Sequence, residues 1–257
     1  MPSSLGAHSP RIAFARDLLS KRGRREHGKF TFEGPTLLAE ADAAGVPVEA
    51  VYATPEAFEQ STLIQRLDGD GTPVYLVDER SMKRISDVES PPGIVAVAPI
   101  RLESASGLLT ASGTVLALAD VGDPGNAGTL LRTAEAFGIG RVLCGTLGAD
   151  PYLPKVVRSA MGAVFRLQIA TGSPADVRPL LAGWQVTGLD VSGTPLGGLE
   201  WGPREVLVIG GERRGLGPWR ELCTRLAGIP MAGKAESLNA SSAGAIAMYE
   251  ATGRRNS

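Results

Sequence analysis

Two short apolar runs constrain the fold most: Val115-Leu116-Ala117-Leu118-Ala119 and Val206-Leu207-Val208-Ile209. Each is long enough for a strand and far too short to cross a bilayer. Strands that are apolar almost throughout, without polar alternation, belong to a parallel sheet covered on both faces. Further strand patterns at 141–144, 164–169, 185–190 and 205–210 alternate with helical patterns at 126–137, 152–161 and 175–181. Sheets of this kind bind ligands beyond the carboxyl ends of their strands. The loops to inspect are therefore 120–128, 190–198, 210–217 and 228–239.

The first hundred residues form a smaller α/β unit by the same reasoning. Helix 10–21 precedes strand 30–32, and Pro35 opens a helix to about residue 44. Strand 48–53, helix 55–67, strand 73–77, a helix from Asp78 to residue 85 and strand 93–98 follow. The Ser- and Gly-rich stretch after Pro99 reads as a connection with one short helical turn. The predicted division is a first domain at 1–99, a linker at 100–113 and a second domain at 114–257.

Composition narrows the chemistry. The two histidines, His8 and His27, both lie near the N-terminus, and Cys144 and Cys223 lack metal or disulfide spacing. No metal is expected. The lack of a basic-then-apolar leader predicts a soluble, cytoplasmic protein with reduced thiols. With a net charge of −1, nucleic-acid binding must be local. Lys21, Arg22, Arg24, Arg25 and Lys29 form the one dense basic run, a candidate for phosphate contact.

Beyond Gly228 the chain changes character twice. A loop carrying Lys234, Glu236, Ser237 and Asn239 runs into a helical stretch rich in Ala, Ser and Gly that ends at Gly253. Asn239 or Ser241 is available as N-cap, and Arg254-Arg255 follow the end. Gly228-x-x-x-x-Gly233-Lys234 nearly spells a phosphate loop. However, Ala235 offers no hydroxyl to a magnesium ion and Pro230 no N–H. An ATPase is the weaker reading.

Three clusters stand in order: Asn126-x-Gly128-x-x-x-Arg132; Gly210-x-Glu212-x-x-Gly215-Leu216; and Ile229-Pro230-Met231-x-Gly233-x-x-Glu236-Ser237-Leu238-Asn239-x-Ser241 with Tyr249-Glu250. Together they resemble the motifs of the SpoU-type (TrmH-like) branch of the SPOUT RNA methyltransferases. Arg158-Ser159-x-Met161-Gly162-Ala163 looks like the same family, and Lys29-Phe30-x-x-Glu33-Gly34 resembles an L30e-like substrate-binding domain. Arg213-Arg214 stands where a small residue is common, and Ala240 where Val is frequent.

The resemblance implies an α/β fold with a deep trefoil knot, a homodimer, S-adenosylmethionine as cofactor, and methylation of a ribose 2′-hydroxyl, with ribosomal RNA favoured. Arg132, Asn126, Glu212, Ser237 and Asn239 are the implied catalytic residues. Leu189, Asp190, Ile209, Gly210, Gly211, Glu212, Gly215, Leu216, Ile229, Met231, Ser237, Leu238, Asn239 and Ala243 are the implied cofactor contacts. Lys21, Arg22, Arg24, Arg25, Lys29 and Arg158 are expected to face RNA, Arg158 across the dimer. Transfer RNA as substrate, or a non-catalytic RNA-binding protein of the same fold, are the alternatives. The second alternative gives no reason to retain the full catalytic set.

Overall fold

A computed structural model describes residues 2–253. The chain separates into two compact units, one formed by residues 1–100 and 152–165, the other by 101–151 and 166–257.

The first unit holds a five-stranded mixed sheet of β1 (Ser3–Ser4), β2 (Lys29–Glu33), β3 (Ala50–Ala53), β4 (Val74–Leu76) and β5 (Ile94–Pro99), in the order β1-β4-β3-β5-β2. β3 pairs parallel with β4 and antiparallel with β5. Its core joins Ile12, Leu18, Tyr52, Met82, Ile85 and Val95. Fully burying such an apolar side chain stabilises by about 1.5–3 kcal/mol before conformational entropy is counted. Local chemistry punctuates the helices. Ser61 accepts from the Ile64 N–H and breaks the expected helix 55–67 into Pro55–Gln60 and Thr62–Gly69. The basic run is itself a helix, Lys21–His27, capped by Ser20 and ended by left-handed Gly28. Residues 152–165, expected with the second unit, pack with the first: Phe30 meets Tyr152 and Phe165 at ring distances of 4.7 and 6.3 Å.

The second unit holds a six-stranded, wholly parallel sheet: β6 (Gly113–Ala119), β7 (Arg141–Gly145), β8 (Gln168–Gly172), β9 (Gln185–Pro195), β10 (Arg204–Gly210) and β11 (Arg225–Gly228). Their order is β11-β9-β10-β6-β7-β8. The expected connection is built into this unit. Leu108 and Leu109 join its core with Trp219, Val115, Val206 and Val208. The expected strand 164–169 is instead a 3-10 turn, Ala163–Phe165, followed by β8.

Two departures near the C-terminus shape the site. β9 runs on to Pro195, and β11 pairs first with Thr187 and Gly188, then with Thr194 and Pro195. The intervening residues swing out of the ladder. Where the paths meet again, backbone touches backbone: a Cβ on Gly228 would lie 2.8 Å from the Gly193 carbonyl oxygen. The terminal helix Ala240–Gly253 then returns against the helix Pro124–Ala136. Gly244 allows that approach, since a Cβ there would run into Leu130. Arg254 and Arg255 lie outside the described residues. No described helix is long and apolar enough to cross a membrane.

Candidate functional site

The second half of β9 and the loops after β10 and β11 converge at the carboxyl end of the second sheet, around a cavity of about 430 Å³. Each wall has a local cause. Leu189, Asp190 and Val191 reach it because β9 leaves its ladder there. Gly210, Gly211, Glu212 and Gly215 reach it through a tight loop closed by reciprocal Gly211–Gly215 backbone hydrogen bonds of 3.1 and 2.9 Å. A Cβ on Gly210 would strike the Gly215 backbone, and one on Gly211 would lie 2.9 Å from the Asp120 carbonyl oxygen. Ile229, Met231, Ser237, Leu238 and Asn239 come from the irregular loop after β11, and Ala240 and Ala243 from the first turn of the terminal helix. Ile209 closes the floor.

A hydrogen-bond relay ties the three motif segments together beside this cavity. Asn239 Nδ2 donates to Asn126 Oδ1 at 3.0 Å, and Asn126 Nδ2 donates to Glu212 Oε1. The other end of Asn239 caps the terminal helix. Its Oδ1 accepts from the Ser241 N–H at 2.9 Å, the Ser241 hydroxyl at 2.6 Å and the Ser242 N–H at 3.3 Å. Asn126 is fixed in turn by the N-cap Asp123, whose Oδ1 accepts its N–H at 2.8 Å. A carboxylate is thus held in place by two carboxamides drawn from distant parts of the chain.

Asp190 supplies the second negative charge. The Ser192 hydroxyl and N–H donate to its Oδ1 at 2.6 and 2.9 Å, and Arg220 pairs with its Oδ2 at 2.6 Å. These donors, the serine first, hold its carboxyl below the usual carboxylate range. A fixed anion on a partly apolar wall favours a cationic ligand.

Not every expected residue lies here. Leu216 is 3 % exposed and packs in the sheet core behind the loop. Arg132 sits on the helix Pro124–Ala136, exposed, with no hydrogen bond or ion pair among the described residues, and does not line the cavity. Val191 and Ala240 line it unannounced by the sequence. Asp120 adds a left-handed backbone, φ 54°, and accepts from Trp219 Nε1 and the Leu147 N–H at 3.3 and 3.1 Å. The ATPase reading fails on local geometry: the helix begins at Ala240, not at Lys234 as a phosphate loop requires.

The basic residues of the first unit divide. Lys21, Arg22 and Arg25 are exposed. Arg24 corrects the expectation of phosphate contact. It is 1 % exposed, and its guanidinium donates to the Leu18 and Leu19 carbonyls at 3.0 and 2.9 Å, closing the preceding helix end. Lys29 pairs with Glu49 at 2.6 Å. Arg158, expected to act across a dimer, is engaged within its own unit, by Asp87 at 2.9 Å and by the buried Glu33 at 3.9 Å.

A parallel sheet whose carboxyl-end loops wrap an apolar cavity bearing fixed carboxylates is the build of a protein that holds a nucleoside-sized cofactor. Comparison with known proteins identifies which. The model of the SpoU rRNA Methylase family matches residues 113–249, and that of an MRM3-like substrate binding domain matches 9–96. The chain belongs to the SpoU rRNA methylase family.

Among its relatives is the Bacillus subtilis 23S rRNA (guanosine(2553)-2′-O)-methyltransferase RlmP, 30 % identical over 96 % of this chain and 98 % of that one. The AdoMet-bound rRNA methyltransferase from Sinorhizobium meliloti superposes with a TM-score of 0.86 at 28 % identity, covering 99 % of this chain and 98 % of its own. The SpoU methyltransferase AviRb from Streptomyces viridochromogenes, in complex with AdoMet, gives the same TM-score and identity over 97 % of this chain and 99 % of its own.

Proposed function

We propose that this chain transfers a methyl group from S-adenosylmethionine to a ribose 2′-hydroxyl of ribosomal RNA. The relay Asn239–Asn126–Glu212 beside the cavity carries the reading, because it joins the three family motifs at one place. The residues present fit the cofactor. Ile209, Ile229, Met231 and Leu238 offer apolar surface, and the loop around Gly210 and Gly211 exposes backbone where a side chain has no room. The ionised Asp190 complements a positively charged ligand. When bound, S-adenosylmethionine supplies a methyl group made electrophilic by its sulfonium.

The chain's own contribution is placement. A 2′-hydroxyl must meet the methyl carbon in line, so fixing the loop tips is worth more than any single contact. The relay fixes Glu212, and the cap on the terminal helix fixes Asn239. Arg132 offers five donors in a planar fork and no acceptor, which suits it to bind an anion. With no hydrogen bond or ion pair among the described residues, it is available to hold a phosphate and to steady the developing alkoxide. The close glycine crossings of β9 and β11 support a knotted path, and exposed Ile246 and Tyr249 on the terminal helix support self-association. The first unit serves as an L30e-like RNA-binding module, with Lys21, Arg22 and Arg25 as its phosphate contacts, so affinity falls as salt rises.

Ribosomal RNA is favoured over transfer RNA because relatives that align along nearly the whole chain carry ribosomal RNA in their names. Methyl transfer from labelled S-adenosylmethionine to 23S ribosomal RNA and to bulk transfer RNA tests this. Wild type should label the former, and Arg132→Ala should bind the cofactor but lose transfer. Labelling of transfer RNA alone would overturn the substrate, and no cofactor binding would overturn the function.

A further inference from the structure

We propose that the first unit holds an unpaired nucleobase of the RNA substrate in a pocket beside Phe14, with Arg11 meeting the adjoining phosphate. The inference rests on the RNA-methylating reading and adds to it the kind of RNA the first unit takes.

The pocket, about 310 Å³, lies between the helix Pro10–Asp17 and the neighbouring sheet. Tyr52 and Tyr75 form its floor, their rings 5.3 Å apart. Both hydroxyls are committed: Tyr52 donates to the Arg11 carbonyl at 3.0 Å, and Tyr75 accepts from the Arg11 guanidinium. Both rings are buried and the Arg11 guanidinium lies over that of Tyr75 at 4.6 Å, so the floor is closed and the flat surface left to a ligand is that of Phe14. Phe14 forms the wall and is only half-buried. Its ring meets the edge of His27 at 5.0 Å, and Lys29 Nζ lies 5.9 Å from its centroid.

The charge around this pocket selects the ligand class. Arg11 is exposed and spends on Tyr75 one of the five donors a guanidinium carries. Arg16, Lys21 and Arg25 are exposed nearby in sequence and make no ion pair among the described residues. Glu49, which lines the pocket, pairs with Lys29, Asp17 contacts His27 and Glu26 pairs with Arg22, which leaves Arg11 as the cation at the pocket without a carboxylate partner among the described residues. A duplex would need the cations alone, since its bases are already stacked. Cations beside a partly exposed aromatic ring suit a single strand, whose bases stack on flat side chains while arginine and lysine follow the backbone.

Fluorescence anisotropy of the full chain with a labelled single-stranded RNA of about twelve nucleotides, and with the same RNA annealed to its complement, tests the pocket. Wild type should prefer the single strand. Phe14→Leu keeps the apolar volume but not the flat ring, and should bind about tenfold more weakly. Phe14→Trp should restore binding, and Arg11→Ala, a change at an exposed position, should also weaken it. S-adenosylmethionine affinity, read by calorimetry, should be unchanged in all of these.

Equal binding of duplex and single strand would overturn the proposal. So would wild-type affinity in Phe14→Leu and Arg11→Ala, or polyglutamate competing as well as unlabelled RNA, which would reduce the site to charge alone. A wild type that methylates ribosomal RNA with a Phe14→Leu variant unaffected refutes the pocket and leaves the function standing. Phe14-dependent RNA binding without any methyl transfer does the reverse.

Discussion

Asn239 does two separable jobs, and two substitutions pull them apart. Asn239→Ala removes the cap on the terminal helix, worth about 1 kcal/mol, and the hydrogen bond to Asn126, worth about 1 kcal/mol more. At roughly 2–4 °C per kcal/mol for a unit of this size, the apparent melting temperature should fall by about 4–8 °C. Asn239→Asp keeps the cap, because aspartate accepts from the Ser241 and Ser242 N–H groups as asparagine does. It cannot donate to Asn126 Oδ1, which is left facing a carboxylate close to Glu212. Its melting temperature should therefore stay nearer wild type while methyl transfer falls about 10- to 100-fold, the scale of a misplaced catalytic group. Thermal melts and single-turnover transfer rates on the same preparations read both quantities. Wild-type transfer by Asn239→Asp would refute the relay as a positioning device.

Three further outcomes follow from the second unit. Arg225→Ala takes the guanidinium from the fully buried Glu205, which Thr187 also contacts, and should cost about 3–5 kcal/mol in urea unfolding, whereas a surface pair would cost under about 1. Gly228→Ala forces a Cβ against the Gly193 carbonyl and should cost about 1–3 kcal/mol, with cofactor affinity falling alongside because the cavity wall at Ile229 must shift. Burial, with the Asp150 charge adding, pushes the Cys144 thiol up to about 12, and burial pushes Cys223 up to about 11. Both thiols should resist iodoacetamide at about pH 8 until urea is added. Because the folded thiols keep protons that the unfolded ones release, their contribution to stability is complete below about pH 8.5 and is lost as pH rises toward 11–12; alkaline stabilisation by either cysteine would contradict this.

The sequence made the parallel sheet legible because strands buried on both faces announce themselves as unbroken apolar runs, as at Val115–Ala119. It could not reveal β11, four residues opening on Arg225, or the continuation of β9, whose register depends on a partner that arrives later in the chain. Residues 164–169 misled because a short apolar run does not distinguish a 3-10 turn from a strand. Most of the cavity lining was named in advance through the motifs, yet the relay was not, since Asn126 and Asn239 meet only when loops 113 residues apart fold together. Charge density misplaced Arg24, where a fold needed a cation to close a helix end. It also missed Arg158's partners, which are acidic residues far away in sequence.

The central claim is the chemistry: methyl transfer to a ribose oxygen. Ribosomal RNA labelled by the wild-type protein from methyl-labelled S-adenosylmethionine, then digested with alkali, tests it most directly. A methylated 2′-oxygen cannot attack its own phosphate. The account therefore predicts label in alkali-resistant dinucleotides, absent from the product of Arg132→Ala. Label in alkali-sensitive mononucleotides would place the methyl group on a base and contradict it.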